Sequence, residues 1–463
     1  MPAIEQSGFE SWRLIVLDQQ RREILVVPDK NPPALCLPTV DIPSGQRIAE
    51  GLNRAVKSTW NCNAICLFTP TVTSPSQLRY AVIESLQYPE TCSNYHSVRL
   101  HDLAASSFLD QGDFLALQQC LAELRSHEID AGAPLTRQRW FVDLQSWIAD
   151  LLRPFELKLT GEFDQLNASP SFSLFRFETT GPDVWFKAVG EPNLREFPIT
   201  LELARRFPGY LPKIIGHRSD WNGWLAFSAG LKNLSDTGDL ASWESTVNSF
   251  ANLQIDSIES SEALLEAGAH DLRTQNLSLL VQPFLDVVSR LMREQTKASP
   301  KPLSEDDLGL LGLRLQDAIT LLEDLRVPNA LGHLDLNPEN VVLAGEKYKF
   351  LDWAEAYIGL PFFSFEYLLA HLRRTAGFVP EQESSLLATY SRPWIEILSQ
   401  EVVTEAFSFV PLVAVFAYAA GLRAWLDEEA LADPKVAGCI RSLARRMNRE
   451  AVQLIDRRVP CLN

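Results

Sequence analysis

The stretch LGHLDLNPENVVLAGEKYKFLDW (331–353) places several polar side chains in an otherwise apolar segment. NVVL and YKFLDW are β-prone runs on either side of a turn that contains Gly345, and this pattern predicts a hairpin. With Glu346 at the centre of the turn, Asn340 and Asp352 are equidistant from it and face each other across the ladder. Two oxygen-bearing side chains are then expected to converge at the open end of the hairpin.

Such a pair of side chains suits a small, hard cation. Mg²⁺ takes oxygen ligands, few of them from the protein, and completes its shell with phosphate and water. Asp335 precedes Asn340 in a loop, close enough to reach a hydroxyl group placed near the metal ion. A hydrogen-bonded hairpin with a capping aspartate and a turn asparagine is the structural alternative. The apolar strand and the Asp-Trp pair that follow favour the metal site.

The composition is that of a globular, acidic protein. Its 463 residues are too many for a single hydrophobic core and suggest roughly two or three domains. A balance of 42 Lys and Arg against 59 Asp and Glu gives a net charge of -17. This charge repels phosphate backbones and anionic lipids, so neither nucleic acid nor a membrane is expected as a partner.

Cysteine spacing and apolar runs bear on the cellular location. The seven cysteines are scattered and show no metal-binding spacing, and the first residues lack the pattern of a signal peptide. The run at 406–422 is shorter than the roughly 20 residues of a membrane span and contains Pro411, so it predicts a buried helix. We therefore expect a cytoplasmic protein with reduced thiols.

The order of patterns along the chain predicts an α+β fold. Short β segments dominate to about residue 110, with helical periodicity over 47–60, 113–127 and 138–153. The β character returns at 155–230, and after Asp236 almost everything reads as helix except 340–353. The predicted division is a first domain at 1–135, a linker helix at 136–154, a β-rich lobe at 155–232 and a helical lobe at 233–463.

H-x-D-x-x-x-x-N followed by a second aspartate is the phosphoryl-transfer pattern of the kinase-like fold. Only AEAYIGLPFFSFEY separates Asp352 from the next predicted helix, which leaves no room for the long activation segment of protein kinases. Leu334 also replaces the arginine found there in many protein kinases. The segment 331–368 instead resembles the aminoglycoside phosphotransferase and choline kinase-like family, and the likeness extends over about 155–455. It implies a bilobal protein-kinase-like fold.

The resemblance implies a role for each matching residue. Asp335 orients the acceptor hydroxyl or accepts its proton, and Asn340 and Asp352 hold Mg²⁺. Lys187, in VWFKAV, takes the position of the lysine that binds the nucleotide phosphates. Glu196 takes the position of the helix glutamate that pairs with this lysine.

The nucleotide is expected to meet two further segments in this family. Backbone N–H groups of GEFDQLNASPSF (161–172) would meet phosphate, although this loop has a single glycine. Adenine would lie against FSAG, with backbone hydrogen bonds from Phe227 and Ala229. His333 is expected to brace the catalytic loop rather than to react.

These features predict an ATP- or GTP-dependent, Mg²⁺-dependent kinase that acts on a hydroxyl of a small molecule, such as an aminoglycoside, an amino alcohol or a sugar. The acidic balance mildly favours a cationic acceptor. Glu355 and Glu366 are candidates for the acceptor side, with solvated or helix-capping roles equally open. The alternative is a nucleotide-binding regulatory protein with a ligand-sensing first domain. The sequence indicates no oligomeric state.

The first 135 residues resemble a Nudix domain in element order. LPTVDIPSGQRIAEGLNRAVKSTWN (37–61) stands where the Nudix box falls, and its alignment on Arg54 puts Asn61 in place of a glycine. The expected metal-binding glutamates are replaced by Ala55, Ser58 and Thr59. Glu50 alone remains nearby, and one carboxylate cannot assemble a multi-metal site. We therefore expect a degenerate binding or docking module, with an unrelated α/β domain or an active hydrolase as the alternatives.

Overall fold

The computed structural model describes residues 8–28, 34–70, 79–87, 95–345, 347–375 and 379–458. It is a mixed α and β structure. Its strands are β1 Phe9–Leu17, β2 Glu23–Pro28, β3 Leu35–Cys36, β4 Thr39–Pro43, β5 Ala64–Phe68, β6 Arg79–Ser85, β7 His96–Arg99, β8 Leu159–Ala168, β9 Ser173–Thr179, β10 Val184–Ala188, β11 Ile214–Arg218, β12 Gly223–Phe227, β13 Lys232–Asn233, β14 His270–Leu272, β15 Ala330–His333, β16 Val341–Ala344, β17 Lys347–Phe350 and β18 Ala356–Gly359. Its helices are α1 Ile48–Trp60, α2 Gln111–Ile129, α3 Trp140–Leu152, α4 Glu196–Arg206, α5 Leu240–Ser257, α6 Ser261–Glu266, α7 Thr274–Arg293, α8 Glu305–Asp324, α9 Phe362–Thr375, α10 Pro380–Ile397, α11 Gln400–Leu422, α12 Glu428–Leu431 and α13 Pro434–Arg458.

The chain divides into two compact units. The first comprises Met1–Phe197 with Lys213–Ser228, and the second comprises Pro198–Pro212 with Ala229–Asn463. The first unit thus includes the expected first domain, the expected linker helix and most of the β-rich segment. The finer division of the chain into domains, with boundaries at residues 135, 154 and 232, stays a prediction.

Two sheets form the framework of the first unit. One has the strand order β3-β2-β1-β6-β5, with β4 also paired to β1 and β7 to β2. In this sheet β1 runs parallel to β6 and antiparallel to β4. The other is the meander-like order β11-β12-β10-β9-β8, in which adjacent strands are antiparallel.

Helix α3 connects the apolar cores of these two sheets. Trp140, Phe141, Leu144, Ile148 and Leu152 are each at most 3% exposed. They belong to one continuous cluster with apolar side chains from both sheets, for example from β1 and β9. Burial of a large apolar side chain contributes roughly 1.5–3 kcal/mol, so α3 is a major element of the core and more than a spacer.

The loop predicted at 161–172 is shorter in the structure, so the predicted length was wrong. Strand β8 continues to Ala168, and only a tight turn of four residues separates it from β9. In that turn the Ser169 N–H donates to the Phe172 carbonyl (2.8 Å), and the Phe172 N–H donates to Ser169 Oγ (2.9 Å). Pairing of β8 with β9 engages most of the segment as strand.

The second unit is mainly helical and contains two small sheets. Strands β13, β16 and β17 form one, and β14, β18 and β15 form the other. The prediction that almost everything after Asp236 is helical except 340–353 is therefore wrong for β14, β15 and β18. Each is only three or four residues long, and apolar runs that short do not distinguish strand from helix by periodicity.

Helix α11 has the length and composition of a membrane span, the one such helix found among the described residues. Of its most apolar window, 61% is buried inside the protein. The helix packs against α9 and α13 and contributes Phe409, Val413 and Phe416 to the core of the second unit. Its burial agrees with the buried helix predicted for 406–422.

Candidate active site

His333 braces the loop that follows β15. The Asp335 N–H donates to His333 Nδ1 at 3.1 Å, and His333 Nε2 lies 2.9 Å from the Leu351 carbonyl oxygen. Because a carbonyl can only accept, Nε2 carries the proton and the imidazole is neutral. The His333 N–H donates to Ser364 Oγ at 2.8 Å, and the residue is fully buried. These contacts fit the bracing role expected from the sequence.

The carboxylate of Asp335 is held by three side chains. Oδ1 accepts from Tyr367 Oη at 2.8 Å and from Asn337 Nδ2 at 3.1 Å, and Oδ2 accepts from Asn340 Nδ2 at 3.2 Å. Asn340 Nδ2 also donates to the Asp335 backbone carbonyl at 3.0 Å. Asp335 is itself only half-buried. The result is a partly accessible carboxylate with a fixed orientation.

Burial, reinforced by the neighbouring Asp335 carboxylate, raises the pKa of Tyr367. The phenol is therefore protonated at neutral pH and acts as the donor in this pair. Its ring lies 5.5 Å from that of Tyr418, centroid to centroid, so α9 and α11 together position it. Tyr367 and Ser364 were not predicted from the sequence, because no local spacing signals a contact made from another helix. Asn337 was not predicted either, although it lies two residues from Asp335 in the same loop.

The hairpin forms, but the expected register was wrong by one residue. Val341 pairs with Phe350 and Ala344 with Lys347, and the Leu351 N–H donates to the Asn340 carbonyl at 2.8 Å. Asn340 thus lies opposite Leu351 and not opposite Asp352. The physical reason is a two-residue connection after Ala344, which begins with Gly345 at φ +66°. Glu346, the expected centre of the turn, lies outside the described residues.

Asp352 follows the end of the ladder with a left-handed backbone (φ 62°). Aspartate tolerates this conformation better than most residues do, and the chain turns there from β17 into β18. Asp352 is half-buried. A carboxylate at the end of β17 and the amide of Asn340 at the start of β16 are both hard-oxygen donors. The Asn340 nitrogen is engaged by Asp335, which leaves the amide oxygen for a cation, so this donor set fits Mg²⁺.

The hairpin is anchored on both edges within the second unit. Lys349 Nζ donates to the carbonyls of Pro208 (3.2 Å) and Gly209 (2.8 Å), and strand β13 pairs with β16. A Cβ on Gly230 would lie 2.1 Å from the Leu343 carbonyl oxygen, so only glycine permits this approach. The position of Asn340 therefore depends on segments far from it in the sequence.

In the first unit, Lys187 and Glu196 form an ion pair. Lys187 Nζ lies 2.6 Å from Glu196 Oε1, and the two side chains are 15% and 1% exposed. Lys187 is on the central strand β10, opposite Trp224 of β12, and its Nζ lies 6.0 Å from the centroid of the Phe172 ring. The pair holds a cationic group beside the turn between β8 and β9, which fits a site for nucleotide phosphates.

The segment expected to meet adenine is partly engaged within the sheet. The Phe227 N–H donates to the Lys213 carbonyl at 3.0 Å, and the Ser228 N–H donates to the Asp183 carbonyl at 2.8 Å. The Phe227 ring packs edge-on against Phe155, 5.1 Å between centroids. The contribution of Ala229 to adenine binding stays a prediction.

Of the two glutamates proposed near the acceptor, Glu366 is the more informative. It is 5% exposed and pairs with Arg373 at 2.9 Å, so a solvated role is excluded. Burial raises its pKa, against the opposing effect of Arg373. Glu355 is half-buried, and its backbone carbonyl accepts from the Leu334 N–H at 3.1 Å.

The helix that stands in the place of a Nudix box has its ionic groups engaged. Glu50 pairs with Arg54 at 2.7 Å, and Lys57 pairs with Glu162 of β8 at 2.6 Å. Asn61 adopts a left-handed backbone (φ 48°), the conformation that a glycine at that position would supply. Within the described ranges, no three His, Cys, Asp or Glu side chains are grouped so as to hold a metal ion.

No family model matches this chain, and no curated protein matches it. Solved structures similar to part of this chain include choline kinase LicA from Streptococcus pneumoniae (12% identity, 68% of this chain, 99% of that chain, TM-score 0.41). Another is macrolide 2'-phosphotransferase MphH from Brachybacterium faecium (17% identity, 65% of this chain, 98% of that chain, TM-score 0.40). A third is choline kinase from Cryptosporidium parvum Iowa II (13% identity, 67% of this chain, 96% of that chain, TM-score 0.43). By identity and by TM-score the likeness is distant.

Proposed function

We propose that this protein is an ATP- and Mg²⁺-dependent phosphotransferase that acts on a hydroxyl group of a small molecule. The observation that carries the proposal is the half-buried carboxylate of Asp335, fixed by Asn337, Asn340 and Tyr367. A carboxylate with both oxygens oriented and one side accessible can position a hydroxyl and take up its proton.

The residues divide the work in the proposed reaction. Asp335 orients the acceptor hydroxyl and receives its proton as the oxygen attacks the γ-phosphorus, and the bond from that phosphorus to the bridging oxygen breaks to release the nucleoside diphosphate. Asn340 and Asp352 are the ligands proposed for Mg²⁺, which when bound neutralises phosphate charge. Lys187, held by Glu196, is proposed to contact the phosphates of the nucleotide, with GTP as the alternative to ATP. His333 keeps the loop in place through its hydrogen bonds to the backbone of Asp335 and of Leu351.

We further propose that residues 1–135 form a degenerate Nudix-like docking or binding module, that the protein is cytoplasmic, and that its partner in the reaction is a small molecule. Neither nucleic acid nor a membrane is proposed as a partner.

The test is phosphate transfer by the purified full-length chain to a panel of amino alcohols, aminoglycosides and sugars, with ATP or GTP and Mg²⁺. Asp335→Asn should lower the rate by at least about 100-fold, the scale of general-base catalysis, and should leave nucleotide binding largely intact. Asp306→Asn, in the first turn of α8, is the matched control and should retain the wild-type rate. Equal rates for Asp335→Asn and wild type on a true substrate would show that the catalytic assignment is wrong.

A further inference from the structure

A pocket of about 90 Å³ lies between α9, α11 and α13 in the second unit. Its walls combine apolar side chains of α11 and α13 with the aromatic and charged side chains of Glu366, Tyr367, Arg374, Tyr418 and Arg446. An apolar wall with a few convergent polar groups is typical of a binding site for part of a small molecule.

Tyr367 connects this pocket to the proposed catalytic residue. It lines the pocket, and its hydroxyl donates to Asp335 Oδ1 at 2.8 Å. Tyr418, on the facing helix, packs against Tyr367, and the charge of Asp335 contributes to its raised pKa after the larger effect of burial. A molecule bound in the pocket is thus one side chain away from Asp335.

The charges that line the pocket are not balanced. Glu366 is neutralised by Arg373, 2.9 Å away, so it offers no free negative charge to a ligand. Arg374 and Arg446 line the same pocket, and within the described part of the chain neither has a carboxylate within the 4.0 Å of an ion pair. Burial lowers the pKa of Arg446, and the charges of Glu366 and, after it, Glu450 oppose that effect without reaching ion-pair distance.

Two guanidinium groups without a close carboxylate therefore line one pocket in a protein of net charge -17. Arg446 is half-buried on α13, and Arg374 is exposed on α9, so one wall of the pocket is cationic and its mouth is open to solvent. The guanidinium fork matches the geometry of carboxylate and phosphate oxygens. Burial beside apolar side chains strengthens that attraction.

We propose that this pocket binds an anionic oxygen group of the acceptor, a carboxylate or a phosphate, and that the acceptor is a hydroxy acid or a phosphorylated polyol. The inference rests on the proposed phosphotransferase function, which it deepens. It reverses the expectation of a cationic acceptor, because the local charge of the pocket is opposite to the net charge of the chain.

The first experiment compares matched acceptors with the full-length protein, ATP and Mg²⁺. Glycerate, glycerol and ethanolamine form one set, and glucose 6-phosphate, glucose and glucosamine form another. The anionic member of at least one set should be phosphorylated with the highest kcat/KM, and the set that responds distinguishes carboxylate from phosphate. Preference for the neutral or cationic member in both sets would overturn the proposal.

The second experiment removes the guanidinium groups. Arg374→Gln and Arg446→Gln should each raise KM for the anionic acceptor by about 10- to 100-fold, as expected for loss of a hydrogen bond to a charged group, with KM for ATP unchanged. Arg449→Gln, an exposed arginine on the same helix α13, removes the same charge and should have no effect. Arg446→Lys keeps the positive charge, so it is the conservative variant that separates loss of charge from a folding defect in Arg446→Gln. An equal effect on neutral and anionic acceptors would contradict the proposal.

A binding measurement separates this inference from the proposed function. Titration calorimetry measures the binding of inorganic phosphate and of acetate to the pocket in the absence of phosphate transfer. The titrations are done at constant ionic strength with saturating ADP and Mg²⁺. Binding that is lost in Arg374→Gln and Arg446→Gln but kept in Arg449→Gln supports the pocket even if no acceptor is phosphorylated. Phosphorylation of acceptors without any such binding would leave the function standing and refute the anionic pocket. Absence of both refutes the pocket as well.

Discussion

The side chain of Gln165 forms a two-way hydrogen-bonded pair with the backbone of Cys66. The Cys66 N–H donates to Gln165 Oε1, and Gln165 Nε2 donates to the Cys66 carbonyl, both at 2.8 Å. Asn53 of α1 donates to the same Oε1 at 2.8 Å. Cys66 lies on β5, at the end of its sheet, and Gln165 lies on β8 of the other sheet. The amide therefore covers backbone groups of an edge strand and joins the two sheets of the first unit.

This clamp predicts a loss of stability in Gln165→Met. Methionine fills a similar volume but leaves the Cys66 N–H and carbonyl without their partners, at a cost of about 1–3 kcal/mol for each buried group. Urea unfolding of the full-length chain should show a correspondingly lower midpoint. Gln118→Met, on the exposed face of α2, is the control. A midpoint for Gln165→Met equal to that of the control would mean that the amide adds nothing to the junction.

Nucleotide binding should depend on a divalent cation, and Asp352→Ala should remove that dependence. The substitution deletes the anionic member of the Asn340 and Asp352 pair, and a neutral amide alone is a weak ligand for Mg²⁺. ATP affinity measured with Mg²⁺, with Mn²⁺ and with a chelator checks this. Asp324→Ala, exposed at the end of α8, should behave as wild type. Equal, metal-independent binding in wild type and Asp352→Ala would argue against the hairpin site.

Tyr367→Phe tests whether the phenol positions Asp335. Loss of one hydrogen bond to a carboxylate is worth about 1.5–3 kcal/mol, so kcat should fall by roughly 10- to 100-fold. KM for ATP should not change, since the phenol is assigned no nucleotide contact. Tyr348→Phe, on β17, serves as the control for removal of a phenol. A change confined to the unfolding midpoint, with kcat unaffected, would reduce Tyr367 to a structural role.

The full-length chain should not hydrolyse nucleoside diphosphate derivatives with Mg²⁺. The helix α1 carries a single candidate carboxylate, Glu50, which is paired with Arg54, and Lys57 would repel a metal ion. The assay is product formation from a panel of such derivatives. Turnover that disappears in Glu50→Gln would reveal a second active site and make the protein bifunctional.

The local structure of the candidate loop was readable from the sequence. The spacing of His333, Asp335 and Asn340 reflects contacts made within one loop, where near neighbours in the chain must be near in space. The hairpin after Asn340 and the helices α1, α2 and α3 also follow from short-range patterns of apolar residues. For these features, local propensity and the folded structure agree.

The register of the hairpin was decided by the two-residue connection after Ala344, one residue away from the arrangement that symmetry about Glu346 suggested. A shift of one residue reverses the facing of every side chain in a strand. The sequence alone does not separate these two registers, because both place β-prone residues on both strands.

The sequence by itself determined the loop that carries His333, Asp335 and Asn340, the strand that carries Lys187 and the α+β composition, since each is encoded by residues a few positions apart. Tertiary structure alone decided which distant groups meet. Tyr367 reaches Asp335 across 32 residues of chain, and Gln165 reaches Cys66 across 99. It also brought Arg374 and Arg446 to one pocket from two helices. Such pairs depend on how helices and sheets pack, and packing is set by the whole core and not by any local pattern.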